Sequence, residues 1–224
     1  GHFPLAKKSR SKKDFPQVED AVRMRNANFL FNVGDKHFNL SGNFTDSGFL
    51  NMFSFPLLKG NPDLALRGNG HIVLTETTAR KLFGKEDPMG KVVRVDSADQ
   101  FTVTGVLNDL PNNTRFHFEY LLPWTYMQEL GWDDNYWVNN SVQTYITLKP
   151  GVTETAFDAR VRNITIDHSR EGAIKSDAQV FLHPADKWHL YSKFENGRIA
   201  GGQIETVRLF AIIAAFILLI ACIN

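Results

Sequence analysis

The sequence predicts an α+β fold for a large water-soluble domain, followed by the start of a transmembrane helix. Short alternating segments typical of strands and capped segments typical of helices fill most of the chain, which is 43% hydrophobic and 22% charged, as in ordinary folded domains. By contrast, Leu209–Ile223 is a run of 15 residues without a charge. A helix of this length spans only about 22 Å of a hydrocarbon core about 30 Å thick, so we expect it to continue past Asn224. The alternative is a buried C-terminal core helix, which would normally keep a polar stripe.

The charge and cysteine content of the chain exclude few functions, and the charge gives no indication of nucleic-acid binding. The formal net charge is +1, and Cys222 in the apolar tail is the one cysteine, so the preceding domain has no disulfide. That composition is compatible with an oxidising compartment. Residues 4–14 are basic and predict a short helix, which we interpret as a solvated helix face because no aromatic residues interrupt its charges.

The first 74 residues predict mainly strands. Alternating side chains or flanking turn residues predict strands at Val22–Arg25, Phe29–Val33, His37–Leu40 and His71–Leu74. Asp46 is a residue type that favours a helix N-cap, ahead of a short helix with Phe49, Leu50 and Phe53 on one face. The turn-rich stretch Gly60–Gly70 is the candidate crossing between two subdomains.

The middle of the chain has clear local signals for one helix and several strands. Thr75 predicts the N-cap of a helix that buries Ala79, Leu82 and Phe83 and ends at Gly84. Asp87–Gly90 fits a type I turn, with Asp first, Pro second and Gly fourth. Strands are predicted after it at Lys91–Val95, Phe101–Leu107 and His117–Leu122, with a turn at Pro111–Thr114.

The last third predicts a strand–helix–strand unit and a linker. A strand at Val142–Leu148 precedes a helix capped by Thr153, and Val180–His183 is the second strand. The polar, glycine-containing stretch Ser192–Gly202 predicts a linker into the apolar tail.

Motifs for catalysis are missing from the sequence. It contains no P-loop, no dinucleotide-binding glycine loop, no G-x-S-x-G nucleophile elbow and no H-E-x-x-H metal motif. We therefore predict no catalytic residue, no cofactor-binding residue and no metal ligand, and we predict that the chain is not an enzyme.

Two pairs of side chains, each with one histidine, are candidate metal ligands. His117 and Glu119 fall on one face of a predicted strand, and Asp186 and His189 would share a face of a helix. A third ligand is not evident for the first pair. The preferred interpretation is an exposed polar face for that pair and a surface turn with Trp188 packed inward for the other.

An aromatic loop is the candidate for partner contact. Gly131–Asn140 carries Trp132, Tyr136 and Trp137, and aromatic side chains dominate many protein interfaces. The alternative is a lid that covers the core. These features together favour binding or mechanical coupling over catalysis.

Three segments and the tail resemble one family. Phe49–Gly60 (FLNMFSFPLLKG), His71–Val95 (HIVLTETTARKLFGKEDPMGKVVRV) and Phe101–Pro111 (FTVTGVLNDLP) are similar, in order and spacing, to the periplasmic core domain of MacB-type, FtsX-like ABC transporter permeases. The tail VRLFAIIAAFILLIACIN resembles the start of their second transmembrane helix, particularly in Bacteroidetes-like bacteria. The resemblance runs from about Asp14 to Asn224, and the middle segment is its most specific part.

The resemblance implies an architecture and a location. It implies a MacB-like domain with a mixed α/β porter-like subdomain at 3–65 and 138–200, an inserted β-rich subdomain at 66–137, and the start of a transmembrane helix at 207–224. The domain would lie in the periplasm, anchored in the bacterial inner membrane. Arg208 and Leu209 would mark the membrane boundary, because a cation in the hydrocarbon core is costly.

The resemblance also implies function and partners. The domain would couple cytoplasmic ATP hydrolysis to periplasmic work, by export, efflux or mechanotransmission. A separate ABC ATPase subunit, a second permease copy in a homo- or heterodimer, and a periplasmic or outer-membrane partner would assemble with it. The alternative is the ligand-sensing domain of a membrane receptor such as a histidine kinase, which would continue into a cytoplasmic signalling helix instead of further membrane spans.

Overall fold

The structure is a computed structural model that describes residues 15–34, 36–96, 99–132, 142–164, 180–195 and 198–223. The predicted basic helix at 4–14 and most of the aromatic loop lie outside the described residues.

Strands dominate the described chain, and helices connect or follow them. The ten strands are β1 (Val18–Val33), β2 (Lys36–Thr45), β3 (Leu57–Gly60), β4 (His71–Thr75), β5 (Val92–Val95), β6 (Asp99–Leu107), β7 (Tyr120–Pro123), β8 (Gln143–Leu148), β9 (Lys193–Glu195) and β10 (Arg198–Gly201). Five α-helices lie within the described residues, namely α1 (Phe49–Met52), α2 (Glu76–Phe83), α3 (Trp124–Glu129), α4 (Glu154–Val161) and α5 (Gln203–Ile223), and a 3₁₀ turn spans Ala185–Lys187.

Eight strands form one sheet in which six close a ring of pairings. The order is β2-β7-β4-β6-β5-β1, and β1 pairs again with β2. One edge of β1 pairs with β2. The other edge pairs with β8 near its start and with β5 near its end. β3 pairs with β6, and β9 and β10 form a separate hairpin just before α5.

Alternation along the strands divides the interior into separate apolar clusters. The largest takes side chains from all six ring strands and from α2 and α3. The second lies on the opposite faces of β1 and β4, where Val22, Met24 and Val73 pack with the phenylalanines of α1 and of the segment before β7. The third joins α4 to the start of β1 through Phe15 and Phe157.

The first two predicted strands form one long strand. β1 continues for 16 residues through Ala27 and Asn28, where two strands were expected. Its continuation is explained by its pairing, since β2 bonds to every position from Met24 to Val33 and leaves no room for a turn.

Asp46 is not a helix cap, which corrects the sequence prediction. The N-cap residue of α1 is Gly48, without a capping side chain. The Asp46 carboxylate instead accepts hydrogen bonds from the backbone N and the side chain of Arg23, at 2.8–3.0 Å. Asp46 therefore forms a long-range ion pair with Arg23 instead of capping the helix that follows it.

Local signals around α2 are confirmed, with one shift. Thr75 accepts a hydrogen bond from the Thr78 backbone N, and Gly84 ends the helix at a φ of 65°. The predicted turn at Asp87–Gly90 is displaced by one residue, because the Lys91 N donates to the Pro88 carbonyl while the Gly90 N donates to Val103 of β6. Pairing with the neighbouring strand sets the turn.

The predicted strand Val180–His183 is wrong, and the predicted strand His117–Leu122 is only partly confirmed. Val180–His183 is not a strand, so the expected strand–helix–strand unit does not form, and β7 begins only at Tyr120. The predicted linker Ser192–Gly202 instead contains the β9–β10 hairpin.

The apolar tail forms the long helix α5, and none of its described side chains is buried. By length and composition alone it is able to cross a membrane. The alternative of a buried core helix is therefore wrong. The division into two subdomains stays a prediction, and strands from both predicted ranges pair within the eight-stranded sheet.

Candidate functional site

An aromatic cluster lies where the domain meets the segment that leads into α5. Its rings come from α1, the residues after α1, the segment before β7, β8 and the residue after the 3₁₀ turn: Phe49, Phe53, Phe55, Phe116, Phe118, Tyr145 and Trp188. Phe53 contacts Tyr145 edge-on with ring centres 5.1 Å apart, and Tyr145 lies 5.5 Å from Trp188. The cluster joins parts of the chain that are distant in sequence.

Trp188 is held on this cluster by contacts on several sides. Its indole N–H donates to the His183 carbonyl at 2.9 Å, and the Arg115 guanidinium lies 5.2 Å from its ring centre. Arg115 is exposed, and no carboxylate of the described residues lies within ion-pair distance of it. Its positive charge is thus available at the surface of the cluster.

The residues after Trp188 contact the first turn of α5. The Ile204 backbone N donates to the Leu190 carbonyl at 3.1 Å. Gly202, at a φ of 145°, approaches so closely that a Cβ there would lie 2.6 Å from the Leu190 oxygen and 2.7 Å from the Ser192 N. Only glycine tolerates this approach and this backbone conformation. We call Trp188–Gln203 the junction.

Two adjoining cavities flank the cluster on the side of the junction. The first, of about 430 Å³, runs along all six residues of β8 and reaches Met52, Leu182 and Glu154. The second, of about 640 Å³, is lined by the junction itself, including Ser192 and Gln203. The cavities share five lining residues: Phe53, Arg115, His183, Ala185 and Trp188.

Burial favours the neutral forms of two titratable groups that line the cavities. Burial lowers the pKa of His183, and the positive charges of Arg115 and Lys187 act in the same direction. The buried Nε2 of His183 has no hydrogen-bond partner among the described residues. Burial also raises the pKa of Tyr145 to about 12. Arg115 is therefore the dominant charge at the passage between the two cavities.

The candidate partner-contact residues are only partly described. Trp132 is 44% exposed, but its ring stacks on Phe29 at 5.9 Å and meets Phe44 edge-on at 6.0 Å. Tyr136 and Trp137 lie outside the described residues. Trp132 is not part of the aromatic cluster and packs on the ring interior instead.

The candidate membrane boundary lies in α5. Arg208 and Leu209 are both exposed and fall in its second turn. Leu209 lies six positions after Gln203, which lines the second cavity.

The histidine pairs have separate environments. His117 is exposed between buried Phe116 and Phe118, while the Glu119 carboxylate accepts a hydrogen bond from the Ser41 backbone N at 2.8 Å. Trp188, next to His189, packs inward as expected. Within the described ranges, no three His, Cys, Asp or Glu side chains are grouped to hold a metal ion.

Sequence reasoning did not identify Arg115, His183 or Leu190 as parts of a site. Arg115 had a weak signal, a lone cation directly before the aromatic alternation of residues 116–120. Leu190 had none, because it contacts α5 through its backbone carbonyl, which every residue type carries.

One family model and several solved structures are similar to this chain. The family model for the MacB-like periplasmic core domain matches residues 3–164. No curated protein matches the chain. A crystal structure of a domain assigned to a permease protein from Porphyromonas gingivalis is 29% identical, with a TM-score of 0.61, and covers 72% of this chain and 76% of its own.

Two further structures share the fold at lower identity. The periplasmic region of MacB from Actinobacillus actinomycetemcomitans is 16% identical, with a TM-score of 0.56 and 71% of both chains covered. The extracellular domain of YknZ, a noncanonic ABC-type transporter of Gram-positive bacteria, is 18% identical, with a TM-score of 0.54, covering 71% of this chain and 82% of its own.

Proposed function

Because the chain belongs to the MacB-like periplasmic core domain family, we propose that it is the extracytoplasmic domain of an ABC transporter permease and couples cytoplasmic ATP hydrolysis to work in the periplasm. Its similarity to a domain assigned to a permease and to the outer regions of MacB and YknZ supports this class. α5 supports a membrane anchor, since its uncharged residues from Leu209 to Ile223 are exposed and rise about 22 Å.

The observation that carries the coupling proposal is the junction. A helix that moves in the membrane can move the domain only if the connection between them is stiff. Here the first turn of α5 bonds to Leu190, Gly202 packs against the same backbone, and Trp188 is fixed in the aromatic cluster. Movement of α5 would therefore reach β8 and α1 through direct contacts instead of being absorbed by a flexible linker.

The proposal places the domain in an assembly. A separate ABC ATPase subunit hydrolyses ATP in the cytoplasm, and a second permease copy completes the membrane part. The domain lies in the periplasm next to the inner membrane, where it contacts cargo or a periplasmic or outer-membrane partner and drives export, efflux or another mechanical output. Trp132, Tyr136 and Trp137 are the proposed partner-contact residues.

The membrane boundary is proposed at Arg208 and Leu209. The side chain of Arg208 can extend into the headgroup region, while the residues from Leu209 onward are uncharged and enter the hydrocarbon core. The periplasmic part is proposed to divide into subdomains at 3–65 with 138–200, and at 66–137.

A glycine insertion tests the coupling. In the full permease expressed with its ATPase subunit, three glycines inserted after Gly202 should break the bond from Ile204 to Leu190 and make the junction flexible. We expect ATP hydrolysis in proteoliposomes to continue while the output driven by it falls at least about tenfold. Both quantities are measured on the same preparation.

The matched control is three glycines inserted after Gly151, in the exposed turn between β8 and α4, where a Cβ added to the glycine would meet no other atom within 4 Å. This variant should keep both ATP hydrolysis and output, since it lengthens the chain away from the junction. Wild-type output from the junction variant would rule out force transmission along this route.

A further inference from the structure

We propose that the two adjoining cavities form one binding site for an amphiphile with a single acyl chain and an anionic head. The acyl chain would lie in the first cavity, and the head would contact Arg115 at the passage into the second. This inference rests on the proposed function in one respect, namely that α5 enters the bilayer.

The first argument is the shape and lining of the cavities. Volumes of about 430 and 640 Å³ lie within the range of about 300–1,000 Å³ that small-molecule sites occupy. Apolar side chains from three parts of the chain line the first cavity, among them Met52, Ile146 and Leu182. Binding an acyl chain there would remove apolar surface from water on both sides of the contact.

The second argument is the charge. Arg115 lines both cavities and has no carboxylate partner among the described residues. Its stacking on Trp188 holds the guanidinium at the cavity wall, where its N–H groups can donate to a carboxylate or phosphate. Glu154 is the other charged residue that lines the first cavity. It is the first residue of α4 and follows Leu148, the last residue of β8.

His183 adds a second polar group at the same passage. Its Nε2 has no partner among the described residues, and its ring lies 4.8 Å from that of Phe194. A buried polar atom without a partner is costly, and a bound head group or its hydration water would satisfy it.

The third argument is distance from the membrane. Gln203 lines the second cavity and lies six residues before Leu209, which corresponds to about 9 Å along α5. The headgroup region of a bilayer extends about 5–8 Å beyond the hydrocarbon core on each side. Gln203 therefore lies at the outer edge of the lipid headgroups, so the second cavity adjoins the region where amphiphiles are concentrated. This position favours an acyl amphiphile over a soluble metabolite.

Photolabelling of the chain in phosphatidylcholine nanodiscs tests the site. The probes carry a diazirine at the same position of one acyl chain and differ in the head: a fatty acid, a lysophosphatidylglycerol and a lysophosphatidylcholine. We expect both anionic probes to label peptides that contain Phe53, Tyr145 or Trp188, about tenfold more than the zwitterionic probe does. Labelling by only one of the anionic probes identifies the head group that the site takes.

Two variants and one control separate the contributions. Arg115→Gln should lower labelling by the anionic probes to the zwitterionic level, because it removes the charge. Ala185→Phe should lower labelling by all probes, because Ala185 lines both cavities and the added phenyl ring would fill space in them. Arg94→Gln alters an exposed arginine of β5 that lines neither cavity and should change nothing. Melting temperatures confirm that each variant is folded.

Labelling of α5 distinguishes the two ways in which the idea can fail. If all probes label α5 but none labels the cavity peptides, the binding site is wrong and the membrane anchor stands. Equal labelling of the cavity by all three heads, unaffected by Arg115→Gln, overturns the role of the arginine. If α5 itself is unlabelled, it does not enter the bilayer, and the proposed function fails together with this inference.

Discussion

The ion pair between Arg23 and Asp46 joins β1 to the chain between β2 and α1. Both side chains are less than a tenth exposed, and the Arg23 guanidinium also lies 4.2 Å from the ring centre of Trp124. Such a pair is satisfied only while both partners remain, because a single buried charge pays the cost of leaving water without compensation.

Neutralising Asp46 is therefore expected to destabilise the domain strongly. We predict that Asp46→Asn lowers the free energy of unfolding by about 3–5 kcal/mol, measured by urea denaturation. Glu76→Gln, in the exposed pair with Arg80 of α2, is the control and should cost less than about 0.5 kcal/mol. Similar losses in the two variants would contradict the structural role of the buried pair.

His183 predicts a particular dependence of stability on pH. Burial lowers its pKa in the folded chain, and the positive charges of Arg115 and Lys187 act in the same direction, whereas the unfolded chain keeps the ordinary value of 6.5. As the pH falls through 6.5, the unfolded state binds the proton first, so stability decreases towards acid pH until the folded state also binds it.

Replacing the imidazole should remove this part of the pH dependence. We predict that His183→Gln shows a smaller loss of unfolding free energy between pH 7 and pH 5 than the wild type. At pH 8 the imidazole is neutral in both states, so the difference between the two proteins should no longer change with pH. Parallel curves over the whole range would refute a buried neutral histidine.

At the scale of elements, Trp132 follows α3 and covers one side of the ring interior. Its ring contacts Phe29 of β1 and Phe44 of β2, and its carbonyl accepts a hydrogen bond from Arg25 at 2.8 Å. The exposed part of the same ring remains the proposed partner surface. One side chain is thus expected to serve both packing and contact.

Truncation of this ring should have an intermediate cost. We predict that Trp132→Ala lowers the free energy of unfolding by about 1–2 kcal/mol, less than the 3–5 kcal/mol typical of a fully buried aromatic ring. Trp132→Phe keeps the stacking on Phe29 and should lie within about 1 kcal/mol of the wild type. A loss above 4 kcal/mol in Trp132→Ala would assign the residue to the core alone.

The junction is the element on which coupling depends. Its hairpin, β9–β10, lies where the composition predicts a linker, and the ring of Phe194 in β9 lies 4.8 Å from that of Phe181. Polar and glycine-containing sequence can therefore still be rigid when its backbone is paired. A rigid connector is the property that force transmission requires.

At the scale of the whole molecule, the sheet is a scaffold with the junction at one side. Six strands close a ring of pairings, which leaves few free edges, while β8 extends from β1 and carries the cavity wall along its length. The same β1 strand pairs with β8, β2 and β5. A displacement of β8 would consequently act on the strand that organises the entire sheet.

Local signals in the sequence determined much of this organisation. The capped helices after Thr75 and Thr153 are confirmed, as are the strand at His71–Leu74 and the apolar helix at the end. These features depend on neighbours in the chain, such as a hydroxyl that accepts a bond three residues later, and so they can be inferred from short segments. The family resemblance is confirmed for the same reason, since it rests on those segments in order.

Only the tertiary structure decided the features that depend on distant partners. Asp46 pairs with Arg23 instead of capping a helix, and two expected strands are one because β2 pairs with every position from Met24 to Val33. The junction and its cavities combine residues as far apart as Met52, Arg115, Tyr145 and Gln203. By itself, the sequence determined that an α+β domain precedes a membrane-type helix. How that helix is held to the domain is set by long-range packing and backbone bonds, which carry no signature in any single segment.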